Sequence, residues 1–159
     1  MDDFALPTAL PGLTEREAIA DVMYRAVLSF DHGDEELLRS AVTDDVIFDL
    51  VGSTPKNGFA ALKAAVFDHM AHKVDTTHHV SNVRVSLESG ASTAQVSCTS
   101  FAQHVRKGKG LEEGPHKYWG GGMYLCDVVK EEVSGLWKIK HWKLKIVWVE
   151  GNPDVMKRE

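Results

Sequence analysis

Three ionisable residues stand where a core-facing side chain would be expected. Tyr24, Val27, Leu28 and Asp31 fall at i, i+3, i+4 and i+7, which puts Asp31 on or beside the buried stripe of a helix, at its last turn. A helix C-terminus repels an anion, so this carboxylate calls for a cationic or hydrogen-bond-donating partner, or else caps the turn that follows. By strand alternation His79, Ser81, Val83, Val85 and Leu87 share one face, which turns His79 inward and leaves His78, Asn82, Arg84 and Ser86 on the other. In the next stretch Ala94, Val96, Cys98, Ser100, Ala102 and His104 share the apolar face, so His104 also points inward. If Val85 pairs with Val96, His79 lies opposite Ala102 and His104 is one diagonal step away, about 7–8 Å. Two imidazoles and a carboxylate lining one cavity are suited to moving protons, because histidine changes charge near neutral pH and a buried polar group must be paired or used.

The other candidates carry less. His69 and His72 are three apart on a helix, a spacing that could chelate a metal, but no acidic or thiol partner is near in sequence and they read as solvated surface; no metal site is assigned. Cys98 and Cys126 lie in strand-like apolar segments and read as buried free thiols. The run Gly120 to Gly122 reads as a bend or a close backbone contact. No G-x-S-x-G elbow, phosphate loop or dinucleotide fingerprint is present.

The elements that must position these residues follow from periodicity. Thr14 and Glu17 form a capping box, after which Ala18, Ile19, Val22, Met23, Ala26, Val27 and Phe30 recur at helical spacing until Gly33 stops the helix. Asp34 is the N-cap of a short second helix over 35–42, Val46 to Val51 reads as a strand, and Asn57 can cap a third helix with Phe59, Leu62, Ala65, Val66 and Met70 on its apolar side. From Thr76 the period becomes two, predicting strands over 77–87, 93–106, 116–129 and 136–149, joined by turns at 88–92 and 131–135 and by a longer loop over 107–115. The polar phase of the last strand slips near His141 and Trp142, which predicts a β-bulge and a strongly bent sheet. Helices followed by strands indicate an α+β fold with three helices packed on one face of a curved antiparallel sheet. Residues 1–13 read as an arm, 14–150 as a single domain and 151–159 as a tail.

Of the 159 residues 43% are apolar and 26% charged, the balance of a globular domain with one core. The formal charge of −5, with basic residues spread along the chain, argues against a nucleic-acid groove or an anionic membrane patch. No apolar run approaches eighteen residues and no signal-like N-terminus is seen, so a cytoplasmic location is the expectation.

The pattern resembles the nuclear transport factor 2-like superfamily, and within it the SnoaL-like branch that includes scytalone dehydratase and bile acid 7α-dehydratase. The resemblance covers about residues 14 to 149. Ser29-Phe30-Asp31 followed by Leu37-Leu38-Arg39 is similar to the segment around that branch's catalytic aspartate, and Thr77-His78-His79 to the stretch carrying its catalytic histidine. His104 falls where a second active-site histidine stands, and Gly135-Leu136-Trp137-Lys138 through Trp148 is similar to the closing strand. At the two positions where scytalone dehydratase has water-holding tyrosines, this chain has Phe30 and Leu50, leaving Tyr24, Tyr118 and Tyr124 as its phenols.

The resemblance implies a cone-shaped α+β barrel (cystatin-like) with a deep apolar pocket, no cofactor and a homodimer or homotrimer. It also implies a dehydratase-like lyase or isomerase acting on a cyclic, mostly apolar ketone or polyketide-like molecule. In that reading His79 is general base and then general acid, Asp31 orients it, and His104 with Tyr24 polarises the carbonyl, while Phe30, Leu50, Tyr124 and Trp148 contact the substrate. A non-catalytic binding or assembly module of the same fold, or an aldol-type polyketide cyclase, is the alternative. The outer sheet face, with Arg84, Gln95, Thr99, Gln103 and the Trp142 region, is the expected subunit contact.

Overall fold

The capping box predicted at Thr14 opens the first helix in a computed structural model that describes residues 5–157; the first four residues of the expected arm and the last two of the expected tail lie outside the described residues. The Thr14 hydroxyl accepts from the Glu17 amide and the Glu17 carboxylate accepts from the Thr14 amide at 2.7 Å, starting α1 (Glu15–His32). Gly33, at φ 63°, closes it in the left-handed conformation that glycine tolerates best. Asp34 accepts from the Leu37 amide at 2.9 Å and starts α2 (Glu35–Ala41), which runs straight into β1 (Val42–Leu50). A two-residue strand, β2 (Lys56–Asn57), holds Asn57, so the third helical segment starts after Gly58 without a side-chain cap instead of at an Asn57 cap. That segment is α3 (Phe59–Leu62), a π-helical turn over Lys63–Phe67 and α4 (Asp68–Lys73).

The long strands are β3 (Val74–Ser86), β4 (Thr93–Arg106), β5 (Lys117–Lys130) and β6 (Trp137–Gly151), within a few residues of the predicted ranges. They form an antiparallel meander, and β1 joins the far side of β6 in parallel, giving the order β2-β1-β6-β5-β4-β3. The sheet is open, with β2 and β3 at its edges. A 3-10 turn over Pro153–Met156 follows β6 and tucks Val155 into the interior.

Besides a register shift between β1 and β6, from Val42 to Ile47, bulges at three places bend the antiparallel meander. On β6, Asp127 opposes His141 while Val128 opposes Ile139, so Lys140 is the extra residue, one position from the expected slip. Farther along β6, Gly121 opposes Trp148 and Gly122 opposes Ile146, which makes Val147 a second extra residue. The third, on β3, was not expected: Ser81 opposes Thr99 and Arg84 opposes Ser97, three steps against two, with Asn82 at φ 53° and its amide donating to Thr99 Oγ1 at 3.1 Å.

The helices lie across the concave face. Ile19, Val22, Met23, Ala26 and Phe30 of α1 are buried against Trp137, Ile139 and Trp142 of β6. Trp142, expected on the outer surface, is fully buried, because the Lys140 bulge reverses the phase of the strand. Arg25 is buried as well, paired with Asp21 at 2.8 Å and donating to the carbonyls of Ser40 and Trp137, so it ties α1 to α2 and β6. Cys98 and Cys126 are free and buried, and burial pushes the Cys98 thiol up to about 11, which keeps it unreactive. Among the described residues no helix is long and apolar enough to cross a membrane.

Candidate active site

Between the helices and the concave side of the sheet lies a cavity of about 250 Å³. Its walls come from nearly every element: Phe30 of α1, Phe48 and Leu50 of β1, Val66, His69 and Met70 of the π turn and α4, His78 of β3, His104 of β4, Tyr124 of β5 and Trp142 of β6. Trp142 is the aromatic hub, stacked on Phe30 with centroids 5.7 Å apart and met edge-on by Phe48 at 5.5 Å and Tyr124 at 5.4 Å. Gly120 and Gly122 of β5 border the cavity where β6 comes close, and at Gly122 the Lys145 carbonyl leaves no room for a Cβ, the close backbone contact expected of this glycine run.

At one wall the last turn of α1 meets the start of β3. Asp31 accepts three hydrogen bonds there: from the Thr76 hydroxyl at 2.7 Å, from the His78 amide at 2.8 Å and from His78 Nδ1 at 2.6 Å. The partner required by a carboxylate at a helix C-terminus is therefore a whole strand end. Burial acts to raise the Asp31 carboxyl, but the hydrogen bond and charge of His78, its amide and the Thr76 hydroxyl outweigh it and hold the group below the ordinary carboxylate range. An ionised carboxylate only accepts, so Nδ1 carries the hydrogen, and in the neutral ring the lone pair is on Nε2 of His78. Both side chains are nearly covered, 7% and 11% exposed.

The imidazole at this place is His78, not His79. His79 is exposed on the outer face, 5.8 Å from the Phe101 ring, and pairs with Phe101, whereas His78 pairs with Ala102. The alternation that turns Val83, Val85 and Leu87 inward holds only after the bulge at Asn82; before it the inward set is Val74, Thr76, His78 and Val80. The signal was in the sequence, since Val80 and Val83 are three apart and Asn is the residue between them that best tolerates a left-handed backbone.

His104 is inward as expected, 8% exposed, its ring edge-on to that of His78 at 5.7 Å. Its Nδ1 lies 3.2 Å from the Tyr118 carbonyl oxygen. Burial pushes its pKa down to about 4, with charge on His78 acting the same way.

Of the expected substrate contacts, Phe30, Leu50 and Tyr124 line the cavity. Two do not. Tyr24 is 41% exposed and is not among the residues that line the cavity. Trp148 is displaced by the Val147 bulge onto the outer face, over Gly121 and 5.9 Å from Phe101. Conversely His69, read as surface, is buried and borders the cavity, carried inward by the π turn that precedes it. Ser100, Tyr118 and Met156 also border it.

The family model described as a SnoaL-like domain matches residues 11–143. Terrestric acid biosynthesis cluster protein E of Penicillium crustosum is 44% identical over 149 residues, spanning 93% of this chain and 94% of that protein. A scytalone dehydratase-like protein from Novosphingobium aromaticivorans has the same fold with a TM-score of 0.74 at 24% identity, over 87% of both chains. A nuclear transport factor 2-like superfamily protein from Salmonella enterica gives 0.66 at 16% identity, over 81% of this chain and 88% of its own.

Proposed function

The chain belongs to the SnoaL-like family, and from that premise we propose that it is an acid–base enzyme of small-molecule biosynthesis, a dehydratase-type lyase or isomerase acting on a cyclic, mostly apolar ketone. The observation that carries this reading is the Asp31–His78 pair at the wall of a largely apolar cavity. The Penicillium relative supports the biosynthetic setting, as its name places it in the terrestric acid cluster, and a polyketide-like substrate fits the apolar walls.

In the proposed mechanism Nε2 of His78 takes the proton α to the ligand's carbonyl. The C–H electron pair passes into the enolate, and then expels a β-hydroxyl as the carbon–carbon double bond forms. The leaving oxygen takes the same proton from His78 and departs as water, so the imidazole ends as it began. Asp31 holds the ring with Nδ1–H towards itself and stabilises the imidazolium between the two steps. Ser100 and Tyr124 supply the hydroxyls at the cavity wall that can meet a carbonyl oxygen. General acid–base transfer of this kind contributes about 10²–10⁴-fold.

The test uses 3-hydroxy-1-tetralone, a cyclic β-hydroxyketone whose dehydration yields fluorescent 1-naphthol. His78→Ala should lower turnover by about 10²-fold or more while leaving ligand binding intact, because the base is lost and the walls are not. Asp31→Asn should lose much of the rate through misorientation of the ring. His79→Ala should run at the wild-type rate. If His78→Ala and wild type turn over a verified substrate equally, the catalytic reading fails.

A further inference from the structure

His104 was expected to donate a hydrogen bond to a carbonyl, and its surroundings oppose that role. Nδ1 faces the backbone carbonyl of Tyr118, its register partner on β5, at 3.2 Å. A carbonyl oxygen can only accept, so Nδ1 carries a hydrogen. A backbone group held in a ladder between two central strands cannot turn away to release it. Whether the other nitrogen also carries one depends on the charge of the ring. The imidazole is 8% exposed, and the charged or ionisable groups that act on it are the His78 ring, whose centroid is 5.7 Å away, Asp31 and His69. A positive charge there would be desolvated and would face a second one whenever His78 takes a proton. Burial holds the ring neutral down to about pH 4. A neutral ring with hydrogen on Nδ1 has a bare lone pair on Nε2. That atom bonds to no described residue and is not sealed off by the protein.

Resting on the proposed function for the place of the ligand, we infer that Nε2 of His104 accepts a hydrogen bond from an O–H of the bound molecule, so the cavity selects ligands carrying an alcohol, phenol or enol hydroxyl. The side chains of Val66, Met70, Leu144 and Ile146, which line the same cavity, offer such a group no acceptor. The ligand class is thus a flat apolar ring system with a hydroxyl that points at β4. A carbonyl oxygen in that position would meet a lone pair and be repelled.

The matched probes are 1-tetralol and 1-tetralone, nearly equal in shape and differing in whether the ring oxygen can donate. Isothermal titration of the wild-type protein at pH 7 should show the alcohol bound about tenfold more tightly, the effect of one buried hydrogen bond made rather than left open. His104→Phe should abolish the preference. In case that variant folds poorly, ¹⁵N spectroscopy of the wild-type histidines gives an independent measure, with Nδ1 of His104 protonated and Nε2 a bare, pyridine-type nitrogen whose signal moves when 1-tetralol is added. Equal binding of the two probes, a preference for the ketone, or a protonated Nε2 at pH 7 would overturn the inference. None of these readouts involves turnover, so losing the preference leaves His78-dependent dehydration standing. A His78→Ala variant of undiminished activity, in turn, overturns the catalytic reading without touching the preference.

Discussion

Asp31 and His104 are two buried polar residues with opposite charge states, and both states arise from hydrogen bonding set against burial. Asp31 stays charged because three donors converge on it, while His104 stays neutral because one backbone carbonyl is too little to offset desolvation. Stability should depend on pH accordingly. Between 6.5, the usual value for histidine, and about 4, the unfolded chain binds a proton at this site that the folded chain refuses, so stability falls as pH falls through that window. The full loss is roughly 3 kcal/mol. Thermal unfolding should show the melting temperature of wild type dropping from pH 7 to pH 4 more steeply than that of His104→Phe; parallel curves would show that His104 is not the group responsible. The lowered Asp31 pKa adds a loss of the same sign only at more acid pH, as the carboxylate takes up its proton. At this scale the sequence was informative where one residue broke a local rule: a carboxylate at a helix C-terminus announced its need for donors. It was misleading where a count of alternation had to pass through a bulge, which exchanged His78 for His79.

The elements that set these residues are irregular ones. Asn82 holds a left-handed backbone at φ 53° and donates to Thr99, and the extra residue it accommodates turns His78 towards Asp31. Asn82→Gly should leave stability and activity within a few tenths of a kcal/mol of wild type, since glycine accepts this φ freely. Asn82→Val should lose about 1–2 kcal/mol, because a β-branched side chain is strained there. Equal denaturant midpoints for the two variants would show that the bulge does not depend on this conformation. Deleting Asn82 outright should leave His78 facing Asp31, because Ser81 to Arg84 then spans two steps against the two from Thr99 to Ser97 and the inward residues before and after the deletion fall in one phase; activity should stay insensitive to His79→Ala. The bulge on β6 was readable from lysine phase, as was the capping box of α1. The π turn at Lys63–Phe67 was not, because one extra residue in a helical stretch rich in alanine leaves no polar residue out of phase.

At the scale of the whole molecule, the outward sheet face carries Met123, Leu125 and Trp148 at about half exposure, with Phe101 of β4 against Trp148. Apolar side chains so clustered on a sheet mark a contact surface, and we expect a dimer or trimer. Light scattering at micromolar concentration should give a mass above one chain, reduced in the double variant Met123→Lys, Leu125→Lys without a change in secondary structure; a wild-type monomer would refute it. The topology has a further consequence, for the order in which the chain can assemble. β6 sits between β1 and β5, and the contact of Thr43 with Ile139 spans 96 residues. During synthesis α1, α2 and β1 emerge first and the β3–β5 meander next, yet neither can join the other through the sheet until the strand that separates them has left the ribosome. Loop-closure entropy makes such a junction slow, and until it forms two strand edges and the apolar faces of Trp142's neighbours stand open to aggregation. A nascent chain stalled before Trp137 should therefore be held by chaperones and cleaved readily, and one stalled well past Gly151 should be neither.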